Sequence, residues 1–290
     1  MNFTKGVELL SLCNDKKLRI CDVMVEREMV LANSSKEEII DKISISLEIM
    51  KNSIEKGLTE DIKSVSGLIG GDAKKISIRS KSEKPVCGNL MSKAISYSMA
   101  VLEVNAAMGK IVAAPTAGSS GILPATLICL AEEFSLTDEQ LVEGILTASA
   151  IGMIISRNAT VAGAEGGCQA ETGSAAAMAA AAVVELMGGT PEAALHAAAT
   201  CIKNVLGLVC DPIAGLVEAP CEKRNAIGVA NALISAEMAL AGVESIIPFD
   251  EVVDTMLRVG RSLPFELRES ALGGLAATPT GLRIKKEILG

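Results

Sequence analysis

Three of the eight cysteines in this 290-residue chain stand beside residues that break helices. They are Cys168 in Gly166-Gly167-Cys168-Gln169-Ala170-Glu171, Cys210 in Val209-Cys210-Asp211-Pro212, and Cys221 in Ala219-Pro220-Cys221-Glu222. Glycine pairs and prolines mark chain reversals, so these thiols are free to converge from distant segments. Three convergent thiolates suit a metal or cluster with one position left open for chemistry. The spacing, C-x41-C-x10-C, is not a short finger pattern, and it leaves two other readings open. One is a structural zinc; the other is three loop cysteines with no common role. Cys13, Cys21, Cys129 and Cys201 lie in apolar or helical surroundings, where a free thiol behaves as a small hydrophobe. Cys87, in Pro85-Val86-Cys87-Gly88-Asn89, sits in another loop and is a candidate fourth ligand.

A second constellation runs Ala114-Pro115-Thr116-Ala117-Gly118-Ser119-Ser120-Gly121-Ile122-Leu123-Pro124. Small residues expose backbone N–H groups, hydroxyls add donors, and a helix is expected to start near Pro124. Such a loop can bind a carboxylate or phosphate, or it can be a tight turn between buried segments. A third set consists of charges within an otherwise apolar body: Lys93, Glu103, Lys110, Arg157, Glu165, Glu171, Lys203, Glu218, Glu222, Lys223 and Arg224. Those that face inward must be paired or used, because unpaired burial is costly. Arg157 and Glu165, near the first thiol in sequence, and Lys223 with Arg224, beside the third, are the candidates for balancing a charged centre. The only histidine, His196, lies in an alanine-rich helical run and reads as a helix residue with a satisfied ring.

The elements that must position these residues are helical. Hydrophobic residues make up 49%, with no Trp, one Tyr and four Phe, so the core is packed from small side chains that let helices approach closely. Residues 1–84 hold 29 of the 62 charged residues, which predicts a charged helical N-terminal extension (1–84) on an apolar catalytic body (85–290), within one catalytic domain. Ser34-Ser35-Lys36-Glu37-Glu38 predicts a capped helix start, with Gly57 as its stop. From Asp61 to Ser82 periodicity is lost, which predicts a loop or lid with a turn at Gly70-Gly71-Asp72. Helices are predicted over 90–108, 138–156, 174–187, from Pro191 to near Gly207, 225–240 and 249–259, with few strand candidates. Segments apolar on every side, such as 175–184, predict a central helix encircled by others.

The net charge of −8 and the lack of a basic block argue against nucleic acid. Mean hydropathy is positive. Yet the longest uncharged run, 111–131, is broken by Pro115, Gly118, Gly121 and Pro124, a poor membrane span. The first residues show no signal-peptide pattern, so a cytoplasmic protein with reduced thiols is expected.

At these residues the chain resembles the alpha chain of iron-sulfur-dependent L-serine dehydratase, the bacterial L-serine ammonia-lyase, in its two-subunit form. The resemblance covers nearly the whole chain. It is carried by Asn105-Ala106-Ala107-Met108-Gly109-Lys110 running into the 111–121 segment, by Gly-Gly-Cys-Gln-Ala-Glu at 166–171, and by the segment from Val209 to Asn225. It implies an all-α catalytic domain holding a 4Fe-4S cluster through Cys168, Cys210 and Cys221, with Thr116, Ala117, Gly118, Ser119 and Ser120 binding the substrate carboxylate. The open iron would act as a Lewis acid on the serine hydroxyl. Loss of the α proton and the hydroxyl then gives an aminoacrylate, which tautomerises and hydrolyses to pyruvate and ammonia, a reaction of amino-acid degradation and gluconeogenesis. The resemblance also implies a separate beta chain that supplies an active-site histidine segment and often a regulatory module, hence a hetero-oligomer. Some single-chain members end in a cysteine that caps the open iron; the segment 283–290 here has none. Two rival readings remain at this point: an L-cysteine desulfidase-type lyase, whose leaving group is a thiol, and a non-catalytic metal-binding scaffold subunit. A pyridoxal-phosphate dehydratase is disfavoured, since no α/β alternation surrounds a candidate Schiff-base lysine.

Overall fold

The computed structural model describes residues 2–290. Among the described residues there are thirteen α-helices, a few short 3-10 and π turns and no strand, only an isolated bridge between Cys210 and Arg268. The protein is therefore all-α. In chain order the helices are α1 (Gly6–Lys16), α2 (Ile20–Ala32), α3 (Lys36–Thr59), α4 (Asp72–Ser82), α5 (Gly88–Ala106), α6 (Ile122–Phe134) and α7 (Asp138–Asn158), followed by α8 (Gly163–Gly166), α9 (Ser174–Leu186), α10 (Pro191–Asn204), α11 (Cys221–Leu240), α12 (Phe249–Ser262) and α13 (Pro279–Leu289).

The alanine-rich α9 is the central helix. Its residues from Ser174 to Val184 are buried on every side, and α6, α7, α10 and α11 pack around it. Alanine makes this possible, because a short side chain lets neighbouring backbones close in without a groove to fill. The N-terminal helices share that core: Phe3, Leu9, Ile20, Leu47 and Met50 join the apolar cluster that contains α7 and α9, while the charges of residues 1–84 lie mainly on outer faces. One helix, α7, is long and apolar enough to cross a membrane by length and composition, but most of its apolar stretch is buried inside the protein.

Local signals set several ends as expected. Ser35 and Glu38 form a reciprocal cap on α3, with Glu38 N–H donating to Ser35 Oγ (3.2 Å) and Ser35 N–H to the Glu38 carboxylate (3.1 Å). Thr137 and Gln140 do the same for α7, and Thr190 caps α10 ahead of Pro191.

Three expectations are corrected. The segment 72–82 is not a loop but α4. Its N-terminus is capped from another helix: the carboxylate of Glu103, on α5, accepts from Asp72 N–H (2.6 Å) and Ala73 N–H (3.1 Å). The cap lies 31 residues away in sequence, so no local pattern announces it. Helix α11 begins at Cys221 rather than Asn225, which brings Glu222, Lys223 and Arg224 into its first turn. Gly57 does not stop α3, which runs through it to Thr59. It marks the crossing of α3 over α5, where a Cβ would stand 2.5 Å from the carbonyl oxygen of Ala100. Gly57→Ala is expected to lower stability, measured by thermal unfolding. Alanine's helix propensity contributes about 1 kcal/mol in its favour, whereas forcing two packed backbones apart costs about 1–3 kcal/mol.

Candidate active site

Cys168, Cys210 and Cys221 are all buried, and each occupies a different kind of corner. Cys168 follows α8 and precedes a single π-helical turn, Gln169–Gly173, that feeds into α9. The extra residue in such a turn re-aims the side chains around it. Gln169 holds this corner from within: its amide donates to the carbonyls of Gly166 and Met256 (both 2.9 Å) and accepts from Gly207 N–H (2.9 Å). Cys210 lies in an extended stretch whose backbone pairs with the 267–269 segment, through Cys210 N–H to Leu267 O (2.9 Å) and Glu269 N–H to Cys210 O (2.7 Å). Cys221 opens α11, behind Pro220.

The three thiols lie near enough to act on one another electrostatically. Cys210 is driven well above the ordinary thiol range by burial, then by Glu171, Cys168, Glu269 and Cys221 nearby. Burial pushes Cys221 up to about 12, with Cys168, Glu171 and Glu269 adding to the rise. Cys168 is also raised by burial, partly offset by Thr172, whose Oγ1 lies 3.1 Å from its Sγ, and by Arg224. Without a metal these sulfurs hold their protons, and a bound metal must displace them.

Three sulfur donors suit iron–sulfur chemistry or a soft metal ion. Among the described residues, however, no three His, Cys, Asp or Glu side chains are arranged to hold a single metal ion. Zinc requires its ligands around one centre on bonds of about 2.3 Å for sulfur. A cluster puts each thiolate on a different iron, so its sulfurs stand further apart. Three thiol donors are a set that a cluster could use.

Cys87 is not part of this group. It is exposed ahead of α5, in an apolar groove lined by Leu233, Ile234 and Leu240. Those residues lie at least twelve positions along α11 from Cys221, roughly 18 Å at the helical rise. Cys13, Cys21, Cys129 and Cys201 are buried within helices, as their apolar sequence context suggested.

The 116–121 loop packs against the same place. Thr116 Oγ1 donates to Glu171 Oε1 (2.8 Å) and lies 3.1 Å from Ser119 Oγ. Residues 117–119 form one 3-10 turn leading into α6, and helical geometry leaves the N–H groups of Ala117 and Gly118 free for a ligand. Ser119 and Ser120 are fully buried, and Ser120 Oγ has no partner. Asn225 clamps the loop to α11: its amide donates to Gly118 O (2.8 Å) and Cys221 O (2.9 Å), and its oxygen accepts from Gly121 N–H (3.0 Å). The sequence reading missed Asn225, although it lies in the same helical turn as Cys221.

The charged candidates sort themselves by burial. Arg157 and Glu165 are exposed, Glu165 pairing with Arg261 at the surface, so neither balances the thiols. Lys223 turns to Asp72 and Glu222. Burial pushes Glu222 up to about 7, and its neighbour Glu103 adds to the rise. Glu218 is buried and tied to the 64–69 loop by Ser64 Oγ (2.5 Å) and Ser66 N–H (3.1 Å). Glu171 and, among the cations, Arg224 face the site, and Arg224 is committed to Val209 O (2.8 Å) and Asp211 Oδ1 (2.7 Å). His196 Nδ1 accepts from Ser245 N–H (3.2 Å) in a cleft beside Phe249 and Asp250, away from the thiols. One ring nitrogen is thus engaged by the backbone of Ser245.

The family model for the serine dehydratase alpha chain matches residues 15–276. The chain belongs to the serine dehydratase alpha-chain family. It is 50% identical to the probable L-serine dehydratase alpha chain of Bacillus subtilis, over 99% of this chain and 96% of that one. It is also 50% identical to the L-serine dehydratase alpha chain of Peptoniphilus asaccharolyticus, with 97% of each chain covered. A longer relative, the L-serine dehydratase of Streptomyces coelicolor, is 38% identical over 94% of this chain but only 60% of its own length. The resemblance read from the three sequence segments thus holds for family and enzyme class: an L-serine dehydratase, a lyase.

Proposed function

We propose that this chain is the catalytic subunit of a cytoplasmic, two-subunit L-serine ammonia-lyase that converts L-serine to pyruvate and ammonia. Cys168, Cys210 and Cys221 hold a 4Fe-4S cluster, and Thr116 to Ser120 hold the substrate carboxylate. The observation that carries this reading is the meeting of three buried thiols with a hydroxyl-bearing loop through one side chain, Glu171, whose two oxygens face the two sets.

When bound, a cluster with three protein ligands supplies a Lewis-acidic iron for the substrate hydroxyl. The protein does the rest. The free N–H groups of Ala117 and Gly118, at the start of the 3-10 turn that precedes α6, can donate to the carboxylate. Asn225 fixes that loop relative to Cys221, so the carboxylate and the leaving hydroxyl are held at a set separation. Burial of the thiols and of Ser119 and Ser120 keeps bulk water from the reacting carbon. Removal of the α proton needs a base, and His196 is spoken for by Ser245. The base therefore comes from the companion beta chain, in keeping with relatives whose names specify an alpha chain.

Anaerobic reconstitution with iron and sulfide, followed by pyruvate assay with the companion chain, tests the proposal. About four iron and four sulfide per chain are expected, and L-serine is expected to exceed L-cysteine as substrate. Zinc without acid-labile sulfide, or sulfide release from L-cysteine without pyruvate from L-serine, would defeat it.

A further inference from the structure

L-Serine offers a protein three handles, and the site as described receives two of them: the carboxylate at residues 116–120 and the hydroxyl beside the thiols. The α-ammonium is unaccounted for. Its partner must be negative, must lie between the other two, and must lack a cation of its own.

Glu171 and Glu269 meet these conditions. Glu171 Oε1 accepts from Thr116 Oγ1, and a Cβ on Gly118 would lie 3.0 Å from it, so this oxygen borders the carboxylate loop. Glu171 Oε2 faces Cys210 Sγ at 3.9 Å. A Cβ on Gly163 would meet Glu171 Oε2 at 2.7 Å, Cys210 Sγ at 3.0 Å and Glu269 Oε2 at 3.0 Å. Two carboxylate oxygens and one thiol therefore converge on Gly163, and the absence of a side chain there lets the three groups draw close to one another. Among the described residues neither carboxylate has a Lys or Arg within 4.0 Å, while Arg224 is already held by Val209 and Asp211. Arg224 acts on Glu171 only as a more distant charge, so two like charges beside thiolate ligands are costly until a cation arrives between them.

The backbone gives independent weight to Glu269. Its φ is +62°, in the left-handed region, yet it is not a glycine. A bulky residue there is strained by roughly 1–2 kcal/mol. The strain is held by the bonds that pair this segment with Cys210, and it puts the carboxylate beside the cysteine rather than out in solvent.

We propose that Glu171 and Glu269 receive the α-ammonium of L-serine and are the residues that select an amino acid over the corresponding deaminated acid. This rests on the reaction proposed above. The ammonium donates to both carboxylates through charge-assisted hydrogen bonds. An analogue without nitrogen leaves the two carboxylates facing each other unpaired, the kind of mismatch by which polar sites reject ligands most strongly.

The test compares L-serine with 3-hydroxypropanoate, which keeps the hydroxyl and the carboxylate and lacks only the ammonium. It uses the reconstituted complex of both chains, wild type and Glu269→Gln, with iron and sulfide measured on each. The wild type is expected to hold 3-hydroxypropanoate at least a hundredfold more weakly than L-serine. In Glu269→Gln the KM for L-serine is expected to rise at least tenfold, with the smaller part of the loss in kcat. The inhibition constant of 3-hydroxypropanoate should stay level or fall, and Glu269→Asp should recover part of the KM. An unchanged KM, or a KM and an inhibition constant that rise together, would overturn the assignment. So would a wild type that holds the two ligands equally, which needs no variant at all. Failure of the reaction itself would be seen separately, as no pyruvate from the iron-loaded wild type.

Discussion

Cys210→Ser is expected to take pyruvate formation to background and to remove at least half of the bound iron, and Cys168→Ser and Cys221→Ser are expected to do the same. The thiolate is the ligand, and an alcohol in its place is a harder donor that does not ionise under the same conditions. The loss is not a matter of folding. A buried hydroxyl without a partner costs about 1–3 kcal/mol, too little to unfold a domain of ordinary stability, about 5–15 kcal/mol. Cys201→Ser provides the control. That thiol is fully buried in α10, and its Sγ already lies 3.4 Å from the carbonyl of Ala176 and 3.6 Å from that of Asn231, so a serine hydroxyl finds an acceptor there. It is expected to keep its iron and its activity. Iron and acid-labile sulfide counted on the four variants separate a ligand from a packing residue. Wild-type iron in any of the first three would remove that cysteine from the ligand set.

What could be read in the chain divides by the range of the forces involved. Caps act within four residues, so Ser35 with Glu38, and Thr137 with Gln140, announced α3 and α7 without any knowledge of the fold. The all-apolar run at 175–184 announced a central helix for an equally local reason: no face of it tolerates water. Helix α4 was hidden because its cap, Glu103, comes from another helix. Gly57 was misread because a glycine that ends a helix and a glycine that lets two helices touch look alike in one dimension. At the site, glycine and proline context marked the three thiols, and the small, hydroxyl-rich composition marked the 116–120 loop. Neither signal shows that the two sets meet. That they do depends on Asn225 and Glu171, polar residues whose partners lie 107 and 55 positions away. Glu269 carried no local signal at all. Its carboxylate reaches the site only because the 267–269 backbone pairs with Cys210.

The same long-range pairing gives the second large effect. Arg224→Met is expected to destabilise the protein by about 3–5 kcal/mol, the usual result of stripping one partner from a buried ion pair. The side chains of Arg224 and Asp211 are 11% and 4% exposed, and their contact is 2.7 Å. Asp211 also uses its second oxygen, Oδ2, to accept from Leu275 N–H at 2.7 Å. Without the guanidinium, a buried carboxylate is left with one hydrogen bond and no cation. Two consequences follow, and they can be separated. The first is thermodynamic: Asp211→Asn should cost less in the Arg224→Met background than it does alone, since the uncompensated charge has already been created, and a double-mutant cycle by chemical denaturation reads that coupling directly. The second concerns the site. Arg224 holds Val209 O on one side of Cys210, and Asp211 holds residue 275 on the other, so the pair fixes the stretch that carries the thiol as well as the segment that carries Glu269. Arg224 also lies beside Cys168 and draws its thiol toward ionisation, against the effect of burial. Iron content should therefore fall in Arg224→Met and be only partly regained in the double variant, because the neutral pair restores charge balance but not the cation facing Cys168. Recovery of stability and iron together would mean that Arg224 acts on the thiols only through Asp211 and the chain it holds.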